Sequence, residues 1–166
     1  MTAACGMEFA SVIGTVEYVK IRMPMERDVK SRLLIVDTES FDREMMDRVF
    51  GTTYTVKLAK DVCDAKKVMK SFEPAVVFYE IRKNDAKQID ELFNVLETKY
   101  PGTAIIVSVS DNTRELEMKI RSRKLFYYML RPFNLKELWD AVESGCKYYD
   151  KSKKLTINPI PNKSEV

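Results

Sequence analysis

Leu33-Leu34-Ile35-Val36, followed at once by Asp37-Thr38-Glu39, is the stretch that decides the fold. An unbroken apolar run with no alternation reads as a strand buried on both faces. Two further runs repeat the theme: Val76-Val77-Phe78-Tyr79, ending at Glu80, and Ala104 to Val109. Tyr54, Val56 and Leu58 alternate with Thr55 and Lys57, as in a strand nearer a sheet edge. Phe126 to Leu130 supplies a fifth strand.

Between these runs the apolar spacing changes from strand-like to helical. Phe41, Met45 and Val49 predict one helical face, with Gly51 as its stop. Asp61 is placed to cap a helix whose apolar face is Val62, Ala65, Val68, Met69 and Phe72. Ile89, Leu92, Phe93 and Leu96 form a third, ending before Pro101-Gly102. A weakly amphipathic helix from Thr113 to Lys124 has Leu116 and Ile120 on one face. Leu135, Leu138, Trp139 and Val142 give a last helix at i, i+3, i+4, i+7. Five strands alternating with five helices predict a doubly wound α/β domain with a parallel sheet.

Composition narrows the chemistry. The 166 residues correspond to about one domain. Residues 1–30 are read as an N-terminal extension, either a short strand or helical arm or an over-extended start before Met23. Residues 31–150 are read as the domain, and 151–166 as a short, frayed polar tail. The chain has no histidine, which excludes a Ser-His-Asp triad, a Cys-His pair, a His-ligated metal and a phosphohistidine relay residue. Cys5, Cys63 and Cys146 lie far apart without CxxC spacing, so neither a disulfide framework nor a zinc knuckle is expected. A formal charge of +3 is too small to argue for nucleic acid or an anionic membrane. No apolar stretch is long enough to span a bilayer, and Met1 to Phe9 lacks a basic signal region. A cytoplasmic location is expected.

In open α/β sheets the functional crevice lies beyond the carboxyl ends of the strands. Asp37-Thr38-Glu39, Glu80, Ser108-Val109-Ser110 and Arg131-Pro132 are delivered there. Carboxylates, hydroxyls and one cation thus converge on one rim, although polar strand ends are also ordinary loop chemistry and helix caps.

The order of these residues resembles the receiver domain of two-component response regulators, the CheY-like fold. Leu33 to Glu39 looks like the family's first strand with its acidic pair. Pro74-Ala75-Val76-Val77-Phe78-Tyr79-Glu80-Ile81 looks like the third strand, which ends in the phosphoacceptor Asp. Tyr128-Met129-Leu130-Arg131-Pro132-Phe133 looks like the fifth, with its Lys-Pro-Phe signature and a cis peptide before Pro132. The resemblance implies a flavodoxin-like sandwich with strand order 2-1-3-4-5.

The departures from the family fall on its chemistry. Thr38 replaces one carboxylate of the acidic pair, so Mg²⁺ at Asp37 and Glu80 is expected to bind weakly unless Glu39 compensates. Glu80 stands at the phosphoacceptor position, where an extra methylene misplaces the nucleophile; misplacement by roughly 1 Å can cost ~10²-fold. Val109 stands at the switch hydroxyl and donates nothing, while Ser108 and Ser110 point to the other face. Arg131 replaces the Lys that pairs with the phosphoryl group, substituting a planar fork for a point charge. Ile81 to Ala86 lacks the usual Met-Pro and Gly. Only Asp37 is retained.

The resemblance therefore implies a degenerate receiver, not an enzyme and without a cofactor, acting by protein–protein contact. Its partners would be a histidine kinase or a downstream output protein, or a second copy through the fourth helix, fifth strand and fifth helix. Tyr128 matches the aromatic whose rotamer reports the family's active state, and Glu80 facing Arg131 would imitate part of the phosphorylated arrangement. The basic segment Arg114 to Lys124 would meet an acidic partner patch. Two alternatives stay open: a working receiver phosphorylated at Glu80 or Asp85, and a flavodoxin-like cofactor-binding protein. The second has no GxGxxG or GKS/T motif behind it, and an acidic first loop that repels phosphate.

Overall fold

The computed structural model describes residues 30–82 and 86–157. The readings placed on the first 29 residues, and Asp85, lie outside them. Ten elements alternate: β1 Arg32–Val36, α1 Ser40–Phe50, β2 Thr55–Ala59, α2 Val62–Phe72, β3 Val76–Ile81, α3 Ala86–Lys99, β4 Ala104–Val109, α4 Arg114–Arg121, β5 Tyr127–Leu130 and α5 Leu135–Ile157. The strands form one sheet in the order β2-β1-β3-β4-β5, every neighbouring pair parallel. This is the doubly wound architecture expected from the apolar runs.

Period-two alternation divides the strands between two cores. Leu34, Val36, Val77, Tyr79, Ile105, Val107 and Val109 pack with residues of α2, α3 and α4. Leu33, Ile35, Val76, Phe78, Ile106 and Met129 pack with α1 and α5. β3 and β4 are buried at every residue, whereas the edge strands β2 and β5 are only partly covered. Burying apolar surface on both faces of the central strands is the main stabilising term.

The helices follow their patterns with two corrections. The expected face of α1 was Phe41, Met45 and Val49, but Phe41 is 75% exposed and Met45 40%, while Met46 and Phe50 are buried. Phe50 stacks on Trp139 of α5 with ring centroids 5.0 Å apart, and that aromatic contact fixes the rotation of the helix. α5 likewise turns Leu135 outward and buries Leu138, Ala141, Val142 and Cys146. A Cβ on Gly145 would sit 3.0 Å from Val76 Cγ2 and 3.1 Å from the Cβ of Ala104, so α5 lies closest to the sheet there.

Caps define several boundaries. Asp61 accepts from Asp64 N–H at 2.7 Å, and Thr113 accepts from Leu116 N–H at 3.2 Å. Gly51 ends α1 in a right-handed conformation, φ −63°, where a Cβ would come within 2.5 Å of the Asp47 carbonyl oxygen. α4 stops at Arg121, short of Lys124. α5, in contrast, continues past residue 150 to Ile157, so the stretch expected to be a frayed tail begins as helix.

Candidate functional site

Beyond the carboxyl ends of β1, β3 and β5, under the first turn of α1, three carboxylates and two guanidinium groups form one cluster. Strand alternation explains why: Asp37, Glu80 and Arg131 each lie two residues beyond a side chain of the α1/α5 core (Ile35, Phe78 and Met129). The side chains of Asp37 and Glu80 are 1% and 0% exposed.

Asp37 Oδ1 accepts from Glu39 N–H at 2.9 Å and from Arg82 Nε at 2.9 Å; its Oδ2 accepts from the Arg82 Nη2 at 3.1 Å. Arg82 Nη2 also donates to Asp42 Oδ2, and Arg131 donates to the same oxygen at 2.9 Å. Arg131 Nε faces Glu80 Oε2 at 3.0 Å in an ion pair whose N–H is not aimed straight at the oxygen. Ser110 Oγ donates to Glu80 Oε1 at 2.7 Å. Arg43 donates to the main-chain carbonyl of Asp37. The hydrogen bond to Asp37, followed by that to Asp42, raises the Arg82 guanidinium well above the usual arginine range, against the opposing effect of burial.

The structure brings together Asp37, Glu80 and Arg131 as the sequence suggested. Thr38 and Glu39 are exposed; Glu39 contributes its backbone N–H rather than a replacement carboxylate. Val109 must be corrected. It is buried on the α2/α3/α4 face of β4, turned away from Glu80. Ser110 was set aside for pointing to the other face, but Glu80 points there too, and Ser110 supplies the hydroxyl. Period-two counting along β3 and β4 was the signal for this contact, because Glu80 pairs in register with Ser108 and Ser110 follows two residues later. Asp42 and Arg82 were missed altogether. Arg82 was discoverable two residues after Glu80; Asp42, on α1, becomes a neighbour only when the helix packs.

A divalent cation fits this cluster poorly. Mg²⁺ requires near-octahedral oxygen geometry at about 2.1 Å, yet both oxygens of Asp37 already accept from Arg82, and Glu80 is taken by Ser110 and Arg131. Among the described residues no group of three acidic or thiol side chains is arranged to hold a metal ion. A cleft of about 770 Å³ opens beside the cluster, lined among others by Glu39, Lys60, Tyr79, Arg82 and Lys87.

The Arg131–Pro132 bond is cis. Tyr128 is half-buried; its hydroxyl donates to Asn112 Oδ1 at 2.6 Å and Arg121 lies 4.7 Å above its ring. Burial first, then the Glu117 carboxylate, pushes its phenol up. Three of the five cations in the segment Arg114 to Lys124 are paired within the fold. Lys119 pairs with Asp90 at 2.7 Å, Arg121 with Glu117 at 2.7 Å, and Arg123 with Glu97 at 2.9 Å and Asn94 at 2.6 Å. Among the described residues no helix is long and apolar enough to cross a membrane.

No family model matches the sequence, and no curated protein does. Solved structures do match. A CheY-like response regulator receiver domain from Methanospirillum hungatei is 16% identical with TM-score 0.67, covering 74% of this chain and 98% of its own. The signal receiver domain of an HD domain-containing protein from Pseudomonas fluorescens is 19% identical, TM-score 0.67, with the same coverage of 74% and 98%. The signal receiver domain of a putative Luxo repressor protein from Vibrio parahaemolyticus is 15% identical, TM-score 0.67, covering 76% and 98%. Identity at this level carries the architecture and not the chemistry: the chain has the CheY-like, flavodoxin-type receiver fold.

Proposed function

We propose that this chain is a receiver-like signalling module that works through protein contacts without accepting a phosphoryl group. The supporting observation is the state of Glu80. Its side chain is fully buried, with one oxygen bonded to Ser110 and the other 3.0 Å from Arg131. A nucleophile must be reachable in line with the donor, and this carboxylate is shut off from solvent with one oxygen hydrogen-bonded and the other held in an ion pair. The Glu80–Arg131 pair is a fixed charge arrangement at the position where the family's signal is written.

The partner in this reading is a protein of bacterial-type signalling, a histidine kinase or an output protein, met in the cytoplasm. The contact face comprises α4, β5 and α5, where Met118, Tyr127, Leu130 and Leu135 are exposed. A second copy of the chain is the other occupant of that face.

The test is intact-mass measurement after incubating the protein with Mg²⁺ and a small-molecule phosphodonor, with Glu80→Gln alongside. An unmodified mass in both supports the proposal. A single phosphoryl adduct that vanishes in Glu80→Gln refutes it.

A further inference from the structure

We propose that Arg82 is the resident counter-ion of this pocket, standing in electrostatically for a divalent cation, so that the site assembles without metal and would take one only when that guanidinium is removed. The inference deepens the proposed function by assigning the residue that closes the site. Three carboxylates drawn from β1, α1 and β3 repel one another once they leave water, and removing each from solvent is itself costly. Something cationic must hold them together.

Arg82 is placed to do so. Its planar fork engages both oxygens of Asp37, Nε at 2.9 Å from Oδ1 and Nη2 at 3.1 Å from Oδ2, while Nη2 also reaches Asp42. A guanidinium matches two acceptors in this way because its donors are rigidly coplanar. Arg131 bridges the remaining gap, from Asp42 at 2.9 Å to Glu80 at 3.0 Å. With Arg43 on the Asp37 carbonyl, the guanidinium groups Arg43, Arg82 and Arg131 balance the carboxylates Asp37, Asp42 and Glu80. A dication added to that balanced cluster would meet an excess of positive charge and few open oxygens. Neutralising Arg82 leaves the cluster one positive charge short and Asp37 without its bidentate partner, facing a space as wide as a guanidinium.

The experiment uses the full chain, Arg82→Met and Arg82→Met/Asp37→Asn, with Mn²⁺ binding followed by water-proton relaxation and melting followed with and without Mg²⁺. Wild type should show no saturable Mn²⁺ binding and no Mg²⁺-dependent change in melting. Arg82→Met should bind one equivalent of Mn²⁺, lost again in the double variant. Mg²⁺ at tenfold its dissociation constant should raise the folded-to-unfolded ratio of Arg82→Met roughly tenfold. If Arg82→Met fails to fold alone, Mg²⁺ should restore its near-ultraviolet dichroism; a chain still unfolded in Mg²⁺ overturns the inference. So does a folded Arg82→Met that binds no cation, or a wild type that binds one equivalent through Asp37. The readout is a reversible cation, whereas the proposed function is tested by a covalent adduct, so either can fail alone.

Discussion

Glu80 Oε2 and Arg131 Nε stand 3.0 Å apart although their strands, β3 and β5, are not neighbours. The guanidinium reaches across the end of β4 to do this, which its length permits. The Glu80 side chain is fully buried while Arg131 retains 26% exposure, so the carboxylate depends on the pair more than the cation does.

Arg131→Ala should therefore destabilise the protein by about 3 kcal/mol, because it leaves a buried carboxylate without its cation. Glu80→Gln should cost less, since a neutral amide still accepts from Ser110. Urea melts of the two variants and the double variant would measure the coupling; equal losses in both singles would contradict the assignment.

Ser110 and Val109 offer a paired contrast on the two faces of one strand. Ser110→Ala removes the hydroxyl on Glu80 Oε1 and should cost about 1.5 kcal/mol, as for hydrogen bonds to charged groups. Val109→Thr should also destabilise, by about 1–3 kcal/mol, because its hydroxyl enters the apolar α2/α3/α4 layer unpaired. A stabilising Val109→Thr would mean that residue 109 faces Glu80.

The rotation of α1 is testable with single substitutions. Phe50→Ala should lose about 3–5 kcal/mol, since its ring is buried and stacked on Trp139. Phe41→Ser should change stability by no more than about 0.5 kcal/mol, as for exposed positions. Chemical denaturation of both variants decides between the observed face and the one expected from Phe41, Met45 and Val49.

Glu97 predicts a specific acid response. Arg123, bonded to its side chain, holds its carboxyl below the usual glutamate range, with the Lys124 backbone N–H adding to the effect. A group whose pKa is lower folded than unfolded adds stability above its unfolded value, and that stability is lost as pH falls through the folded one. The loss should thus begin near pH ~4.3, the ordinary glutamate value, and deepen below it. Glu97→Gln should be less stable at neutral pH and flatter in acid. A parallel pair of pH–stability curves would contradict the Glu97–Arg123 link.

Much of the molecule is written locally. Unbroken apolar runs such as Leu33 to Val36, and helical spacing such as Ile89, Leu92, Phe93 and Leu96, determine the order of elements and the parallel sheet. Periods of 2.0 and 3.6 residues are properties of short segments. The same locality put Asp37, Glu80 and Arg131 at one rim, because each lies at the carboxyl end of a strand. Tertiary structure decided the rest. Whether α1 buries Phe41 or Phe50 depends on Trp139 of α5, four strands and three helices further along the chain. Asp42 and Arg131, 89 residues apart, share a bond only because α1 packs over the strand ends. Arg82 looks like an ordinary loop cation until Asp37 and Asp42 close around it. Charge pairing acts through space over a few ångströms and leaves no period in the sequence, so the partners that fill this pocket emerge only when the chain is folded.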